Sequence, residues 1–411
     1  MRFIKSALTS LAFKAVAMIA GLAVSIVIAR VMGPEGRGIY ALVMTIIVLA
    51  SSFGVFGLTA SNTYFAAKDE KMTRTIGFQS LIIGLLGGGL ALAAVSVVEI
   101  VSPSVLRGLN DELLLLTFAL IPLFLWGNLF AFAYLGRGNI LAFNTFETGQ
   151  RVIFCGLSLI VLWHWQQSLA SYLTAVLAGV TILVAFYIVN YFRNASPGPI
   201  YEPGYTAASI AYGIKSYIAT MLTLAVMRSG VLFVNYFGGN DDAGYFAVAQ
   251  QISELVIIIP TVVGTVLFGR ISKGDSNHLT PKVLRTITAT FIPVTLVMLL
   301  ASEWLILTVF GAEFKDSIMP LRIMLPGAFL LGLEVVIAKD IAGRGYPWPA
   351  VLAWIPVLVI NVIGFVILIP KFGVNGAAWS VSGSFLIIFA LLVIYYLKLS
   401  KFSISELFVL K

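Results

Sequence analysis

The sequence predicts an all-α polytopic membrane protein with about twelve transmembrane helices. These form two six-helix lobes related by a pseudo-two-fold axis along the membrane normal. Three observations carry that expectation. Of 411 residues, 60% are hydrophobic and 11% charged, with a mean hydropathy of +1.01. A soluble domain carries roughly 25% charged residues, so the solvent for most of this chain is lipid. Apolar runs recur at the length a bilayer requires, roughly 20 residues at 1.5 Å each for about 30 Å of hydrocarbon. A glycine-rich polar hairpin, "ARVMGPEGRGIYALV" at 29–43, interrupts the first two runs and returns in the second half.

Twelve runs meet the length criterion: 8–30, 38–66, 77–99, 113–135, 142–163, 168–192, 207–236, 243–268, 286–310, 318–340, 348–369 and 375–398. The short alternating strands of a closed barrel, the other way to span a bilayer, are not seen. The first run contains Lys14, is too long for a signal peptide and is followed at once by another. It is therefore expected to be a retained first helix. The gaps near 193–206 and 269–285 are the longest, and neither is long enough to fold as a soluble domain. "RNASPGPIYEPGYT" reads as a linker. The expected organisation is a lobe over 1–193, a cytoplasmic linker over 194–206, a second lobe over 207–398 and a cytoplasmic tail over 399–411. In the tail, Phe402, Leu407 and Phe408 would face lipid as an interfacial helix.

Basic residues orient these spans. With the N-terminus inside, the inner segments hold Arg2, Lys5, Lys68, Lys71, Arg74, Arg137, Arg193, Arg270, Lys273, Lys282, Arg285, Arg344, Lys398, Lys401 and Lys411. The outer segments hold only Arg30, Arg37, Arg107, Lys315 and Lys371. Both termini are expected in the cytoplasm, which an even number of spans also requires. The formal net charge of +8 is thus explained by membrane orientation, and no nucleic-acid partner is expected.

The hairpin's echo lies at 236–248, "YFGGNDDAGYFAV". A shift of 206 places Gly33 on Gly239, Glu35 on Asp241, Gly38 on Gly244, Tyr40 on Phe246 and Ala41 on Ala247. A shift of 207 places Gly136, Arg137 and Gly138 on Gly343, Arg344 and Gly345. Two turns at one spacing indicate an internal duplication. Six spans per copy give both copies one orientation, with the substrate path between them. Gly33, Pro34, Gly38, Gly136, Gly138, Gly343 and Gly345 are read as structural. Gly33 and Pro34 end one helix and begin the next, and Glu35 lies at the positive end of the second. In the third span Gly84 and Gly88, four apart, suit close helix packing.

Catalysis and cofactors find little support. Cys155 is the single cysteine, and His164 and His278 lack ligand spacing, so no metal site or disulfide is expected. His164, between two tryptophans, suits the headgroup level. There is no Gly-Lys-Ser/Thr nucleotide loop. No outer gap is long enough for the loop expected of a polysaccharide polymerase or ligase. The chain is expected to be no enzyme and to need no cofactor.

The candidate functional residues are charges inside the spans. A charge at the bilayer centre costs roughly 2.5–3.5 kcal/mol on insertion scales, so it faces a cavity or a partner. Those present are Lys14, Glu147, Arg151, Lys215, Arg228, Glu254, Arg322, Glu334 and Lys339. Glu147 and Arg151 have i,i+4 spacing for a pair, and Lys215, Arg322 and Lys339 lie where they can snorkel. Lys14 and Arg228 sit on the first span of each copy, with Lys215 near the start of the seventh. A mobile ammonium and a forked guanidinium suit a diphosphate. The competing readings are snorkelling for Lys14 and a pair with Glu254 for Arg228. Glu254 and Glu334 are the central carboxylates, and so the candidates for ion coupling.

"IARVMGPEGRGIYALV" resembles the first hairpin of the polysaccharide-export and O-antigen flippase family, within the multidrug, oligosaccharidyl-lipid and polysaccharide exporter superfamily. "FGLTASNTYFAAKDE" at 56–70, "YLGRGNILAFN" and "IAGRGYPWPAV" resemble later segments of the same family. The resemblance implies a V-shaped pair of lobes with alternating access in a bacterial plasma membrane. The implied substrate is a polyprenyl-diphosphate-linked oligosaccharide moved from the inner to the outer leaflet. Implied partners are membrane lipids, a polysaccharide polymerase and chain-length machinery. Many relatives carry an acid beside a base in the seventh helix, whereas this chain has "MLTLAVMRSGVLF" with Arg228 alone. A multidrug exporter of the same superfamily is the main alternative.

Overall fold

A computed structural model describes residues 2–165, 168–271, 279–344, 347–400 and 402–408. Among the described residues all regular structure is helical, and ten stretches are long and apolar enough to cross a membrane. Two compact units divide the chain, Met1–Met221 and Leu222–Lys411.

The first unit begins with α1 (Arg2–Gly54), which is not one rod. Gly33 has φ 65° and ψ −168°, outside helical geometry, and Pro34 follows it. The Arg37 Nε donates to Ser25 Oγ at 3.0 Å across this break. Twelve residues of straight helix would hold those groups about 18 Å apart, so the two arms fold back on one another. Glycine fits here because φ near +65° is strained for any residue with a Cβ. Arg37, one of the cations of the expected outer segment, is buried, with its guanidinium 5.8 Å from the Tyr40 ring centroid.

The second arm stops at Gly54, and α2 (Leu58–Lys68) resumes after it. The span expected to run unbroken over 38–66 is therefore interrupted, with Phe56 at φ 45° and Gly57 at φ 80°. α3 (Thr73–Val101), α4 (Asp111–Gly136), α5 (Ile140–Leu157) and α6 (Leu169–Arg193) complete the bundle. Asn110, Asn139 and Ser168 cap α4, α5 and α6 through their side chains. The α3 glycines meet neighbours as their spacing suggests: Gly84 receives Trp126, Gly88 lies against Pro122, and Gly87 faces the Gly54 backbone. The linker backbone lies on the start of α3, where Thr75 Oγ1 donates to the Pro199 carbonyl at 2.7 Å. α7 (Tyr205–Gly238) spans the division between the two units.

The second unit repeats several of these devices. Gly239 precedes α8 (Asn240–Glu254) with φ 93° and ψ −170°, close to the geometry of Gly33. A 3-10 turn at Leu255–Ile257 then separates α8 from α9 (Ile258–Ile271), so this span too is interrupted. α10 (Leu279–Val309) and α11 (Ile318–Gly343) follow, then the short α12 (Trp348–Leu352). α13 (Trp354–Ser400) turns at Gly373. Asn361 and Ser380 hydrogen-bond across that turn, with Ser380 Oγ donating to the Asn361 carbonyl at 2.8 Å. The tail forms α14 (Ile404–Phe408), and it packs on protein. Leu407, expected to face lipid, is buried, and Arg285 on α10 donates to the Glu406 carbonyl at 3.0 Å.

Candidate functional site

Arg228 on α7 and Glu254 at the end of α8 form a two-pronged ion pair in the second unit. Arg228 Nη1 lies 3.1 Å from Glu254 Oε1, and Nη2 lies 3.2 Å from Oε2. This is the fork-to-carboxylate geometry that makes arginine a strong anion ligand. Gln250, one turn earlier on α8, donates to Glu254 Oε1 at 3.0 Å. The pair is not sealed: the side chains are 35% and 25% exposed. The acid that the seventh span lacks beside its base is thus supplied in space by the eighth. Glu254 stands where α8 gives way to the 3-10 turn.

Apart from Lys215, the other expected site residues lie on other elements. Lys14 is exposed on α1, next to a polar seam in which Thr148 Oγ1 donates to the Phe13 carbonyl and Asn144 to Ser10 Oγ. Lys215 is half-buried on the first-unit part of α7. Glu334 is buried within α11 of the second unit. Glu147 and Arg151 do not pair with each other. The Arg151 guanidinium turns toward α1 instead, 3.5 Å from where a Cβ would stand on Gly21. Arg322 donates to Ser302 Oγ at 2.8 Å and lies 3.6 Å from Glu303. His164 and the flanking Trp163 and Trp165 are exposed.

The structural glycines divide by role. Gly136 meets the backbone carbonyls of Asn62 and Thr63 on α2, and Gly343 meets Ile271. Gly138 has φ 74° in an open turn, and Gly38 is buried in the first hairpin. Gly345 and His278 lie outside the described residues.

A second feature had no counterpart in the sequence reading. The interruption between α1 and α2 leaves a cavity of about 430 Å³ in the first unit, bounded also by α4 and α7. Its lining includes Ser52, Thr59, Thr63, Asn128, Ser216 and Tyr217, with no acid or base among the lining residues. Tyr217 donates its hydroxyl to the Phe53 carbonyl at 2.7 Å. That carbonyl lies just before the break, and this bond supplies it with a partner.

A buried polar cluster at the end of α11 was also missed. Asp340 is fully buried and accepts from Thr280, from Tyr396 at 2.7 Å and from Arg344 at 2.5 Å. The i,i+4 spacing of Asp340 and Arg344 was the available signal. Arg344 also lies 5.9 Å from the Tyr396 ring centroid, as Arg137 lies 5.2 Å from that of Tyr191 in the first unit. The two Gly-Arg turns therefore share a contact as well as a spelling.

Known proteins agree with this architecture. The lipid II flippase MurJ in an inward closed conformation aligns with a TM-score of 0.74 at 16% identity, covering 97% of this chain and 89% of that one. An inward-facing multidrug resistance MATE transporter aligns at 0.67 and 16% identity, covering 96% and 98%. These likenesses establish a shared fold. Among curated relatives, the probable low-salt glycan biosynthesis flippase Agl15 of Haloferax volcanii is 25% identical over 193 residues. That match covers 44% of this chain and 38% of the relative. A putative O-antigen transporter of Shigella flexneri is 23% identical over 377 residues, covering 86% of this chain and 88% of the relative. The family described as polysaccharide biosynthesis protein matches residues 3–275, about two thirds of the chain. This multi-pass membrane protein belongs to the polysaccharide biosynthesis protein family.

Proposed function

We propose that the protein is a flippase that carries a polyprenyl-diphosphate-linked oligosaccharide from the cytoplasmic to the outer leaflet of a bacterial inner membrane. The observation that carries this reading is the family match over residues 3–275. The glycan flippase and O-antigen transporter among its relatives point the same way. The fold is shared with multidrug transporters, so the choice between cargoes rests on the spans. A carrier of organic cations needs an acidic cavity, whereas here Lys14, Lys215 and Arg228 are cationic.

Counting each arm of α1 and α13 separately turns ten apolar stretches into twelve spans, six in each copy of the repeat. The excess of basic residues on one side then puts both termini in the cytoplasm. The polyprenyl tail can remain in lipid, so the protein has to shelter only the diphosphate and the sugars. Arg228, Lys14 and Lys215 are assigned to the diphosphate. In this reading the Arg228–Glu254 pair is the resting state of one phosphate ligand, held by an internal carboxylate until the substrate arrives. Glu254 and Glu334 are the two carboxylates available for coupling to an ion. A polysaccharide polymerase and its chain-length partners would consume the product.

The test is reconstitution in proteoliposomes with a defined undecaprenyl-diphosphate oligosaccharide, reading its arrival in the opposite leaflet. Wild type should flip it, and Arg228→Ala should be slowed tenfold or more. Transport of cationic dyes with no lipid flipping would overturn the proposal in favour of a multidrug exporter.

A further inference from the structure

The α1–α2 interruption builds a chamber whose chemistry differs from that of the Arg228 pair. The helix stops at Gly54 and restarts at Leu58, and two backbone contacts hold the break in place. A Cβ on Gly54 would stand 2.9 Å from the Gly87 carbonyl of α3, and one on Gly57 would stand 2.7 Å from the Gly213 backbone of α7. The resulting cavity, about 430 Å³, is within the range of small-molecule sites, about 300–1,000 Å³.

Its polar groups have unspent hydrogen-bonding capacity. The Thr63 hydroxyl donates to the Thr59 and Phe132 carbonyls, and that of Thr220 to the Ser216 carbonyl. Among the described residues, the side chains of Ser52, Thr59, Asn128 and Ser216 have no hydrogen-bond partner. The Asn128 amide alone offers two donors and an acceptor. Phe132 and the Tyr217 ring supply flat apolar walls. An anion would lack a cation here, and a cation would lack a carboxylate. A neutral ring rich in hydroxyls satisfies both halves of the lining, because its edges hydrogen-bond while its C–H faces pack on aromatic rings.

We propose that this first-unit cavity is a glycosyl-binding subsite, which takes a neutral sugar residue of the lipid-linked substrate. The assignment rests on the flippase reading, and it adds where the sugar is recognised and by which groups. Asn128 is the main specificity-determining residue, and Ser216 and Thr59 are its helpers.

The experiment compares binding of two probes to the full chain in nanodiscs: bare undecaprenyl diphosphate, and the same carrier bearing a neutral disaccharide. Wild type should hold the glycosylated probe about tenfold more tightly, a difference of about 1.4 kcal/mol. Asn128→Ala should abolish that difference while leaving affinity for the bare carrier within about twofold, whereas Arg228→Ala should weaken both probes equally. An unchanged preference in Asn128→Ala, or equal loss for both probes, overturns the subsite. A second readout does not depend on flipping. In a Cys155→Ser background, Thr59→Cys should react with a maleimide more slowly when free neutral disaccharide is present, and at an unchanged rate with inorganic pyrophosphate. Protection by sugar without lipid flipping would keep the subsite and remove the flippase reading. Protection by pyrophosphate alone, or by neither, would remove the subsite.

Discussion

At the scale of single residues, the ion pair of Arg228 and Glu254 decides how a phosphate could be held. Both prongs of the guanidinium are occupied by the carboxylate at 3.1 and 3.2 Å. If Arg228 holds the diphosphate as proposed, the incoming anion must displace Glu254, which makes Glu254 a competitor as well as a neighbour. Glu254→Gln removes the competing charge and keeps the shape. It is expected to bind undecaprenyl diphosphate at least threefold more tightly than wild type while flipping more slowly, because release is no longer assisted. Equilibrium binding together with single-turnover flipping checks both parts. Weaker binding in Glu254→Gln would mean that the carboxylate positions the arginine and does not compete. Asp340 illustrates a different role. Its carboxylate is fully buried and accepts from Thr280, Tyr396 and Arg344. Asp340→Ala strands a half-buried guanidinium and two buried hydroxyls, a loss of about 3–5 kcal/mol. Thermal unfolding in detergent should show a drop of several degrees, with no change in the relative affinity for bare and glycosylated lipid. The charges themselves were legible in the sequence because each stands out in apolar surroundings. The pair of Arg228 with Glu254 was one of two readings open for that arginine, and sequence could not choose between them, since 26 residues separate the two and helical spacing reports only neighbours on the same helix.

At the scale of elements, the informative feature is the interruption of the second span. The sequence "SSFGVFGLTA" carries no charge and no proline, so a hydropathy reading passes over it. Only φ 45° at Phe56 and φ 80° at Gly57 reveal the break. The hairpin breaks at Gly33 and Gly239, by contrast, were legible because polar residues flank them and because they recur. The interruption depends on glycine for two reasons at once. Gly57 needs a positive φ, which costs an L-residue roughly 1–2 kcal/mol, and its Cα faces Gly213 across backbone contact. Gly57→Ala and Gly213→Ala should each lower the unfolding temperature and reduce flipping more than tenfold. Gly89→Ala, with nothing within 4 Å, should leave flipping unchanged and stabilise α3 by up to about 1 kcal/mol. Equal behaviour of all three variants would deny the break any special role. Tyr217→Phe tests the same element more gently. Loss of its bond to the Phe53 carbonyl should cost about 0.5–1.5 kcal/mol, seen as a small drop in unfolding temperature.

At the scale of the whole molecule, charge bookkeeping constrains what drives the cycle. A diphosphate carries about −2, and the potential is worth about 2.3 kcal/mol per charge per 100 mV. Moving one lipid outward across an inside-negative membrane is then favoured by about 4–5 kcal/mol per 100 mV, whatever the order of the steps. The protein's own charges return to their starting places each turn, so they cannot alter that sum. Only an ion that crosses with or against the lipid can do so. If Glu254 merely exchanges partners with the diphosphate, two elementary charges move per lipid. If Glu254 carries a proton outward with the lipid the ratio falls to one, and if it returns a proton inward the ratio rises to three. We expect two, because the pair stays balanced whenever Arg228 trades one anion for another. Proteoliposomes on a solid-supported electrode, read alongside the quantity of lipid flipped, give the ratio directly. Two charges in both wild type and Glu254→Gln would establish the membrane potential as the sole driving force. A wild-type ratio of one or three that returns to two in Glu254→Gln would instead assign the coupling proton to that carboxylate, and a ratio unmoved by Glu254→Gln but moved by Glu334→Gln would assign it to α11.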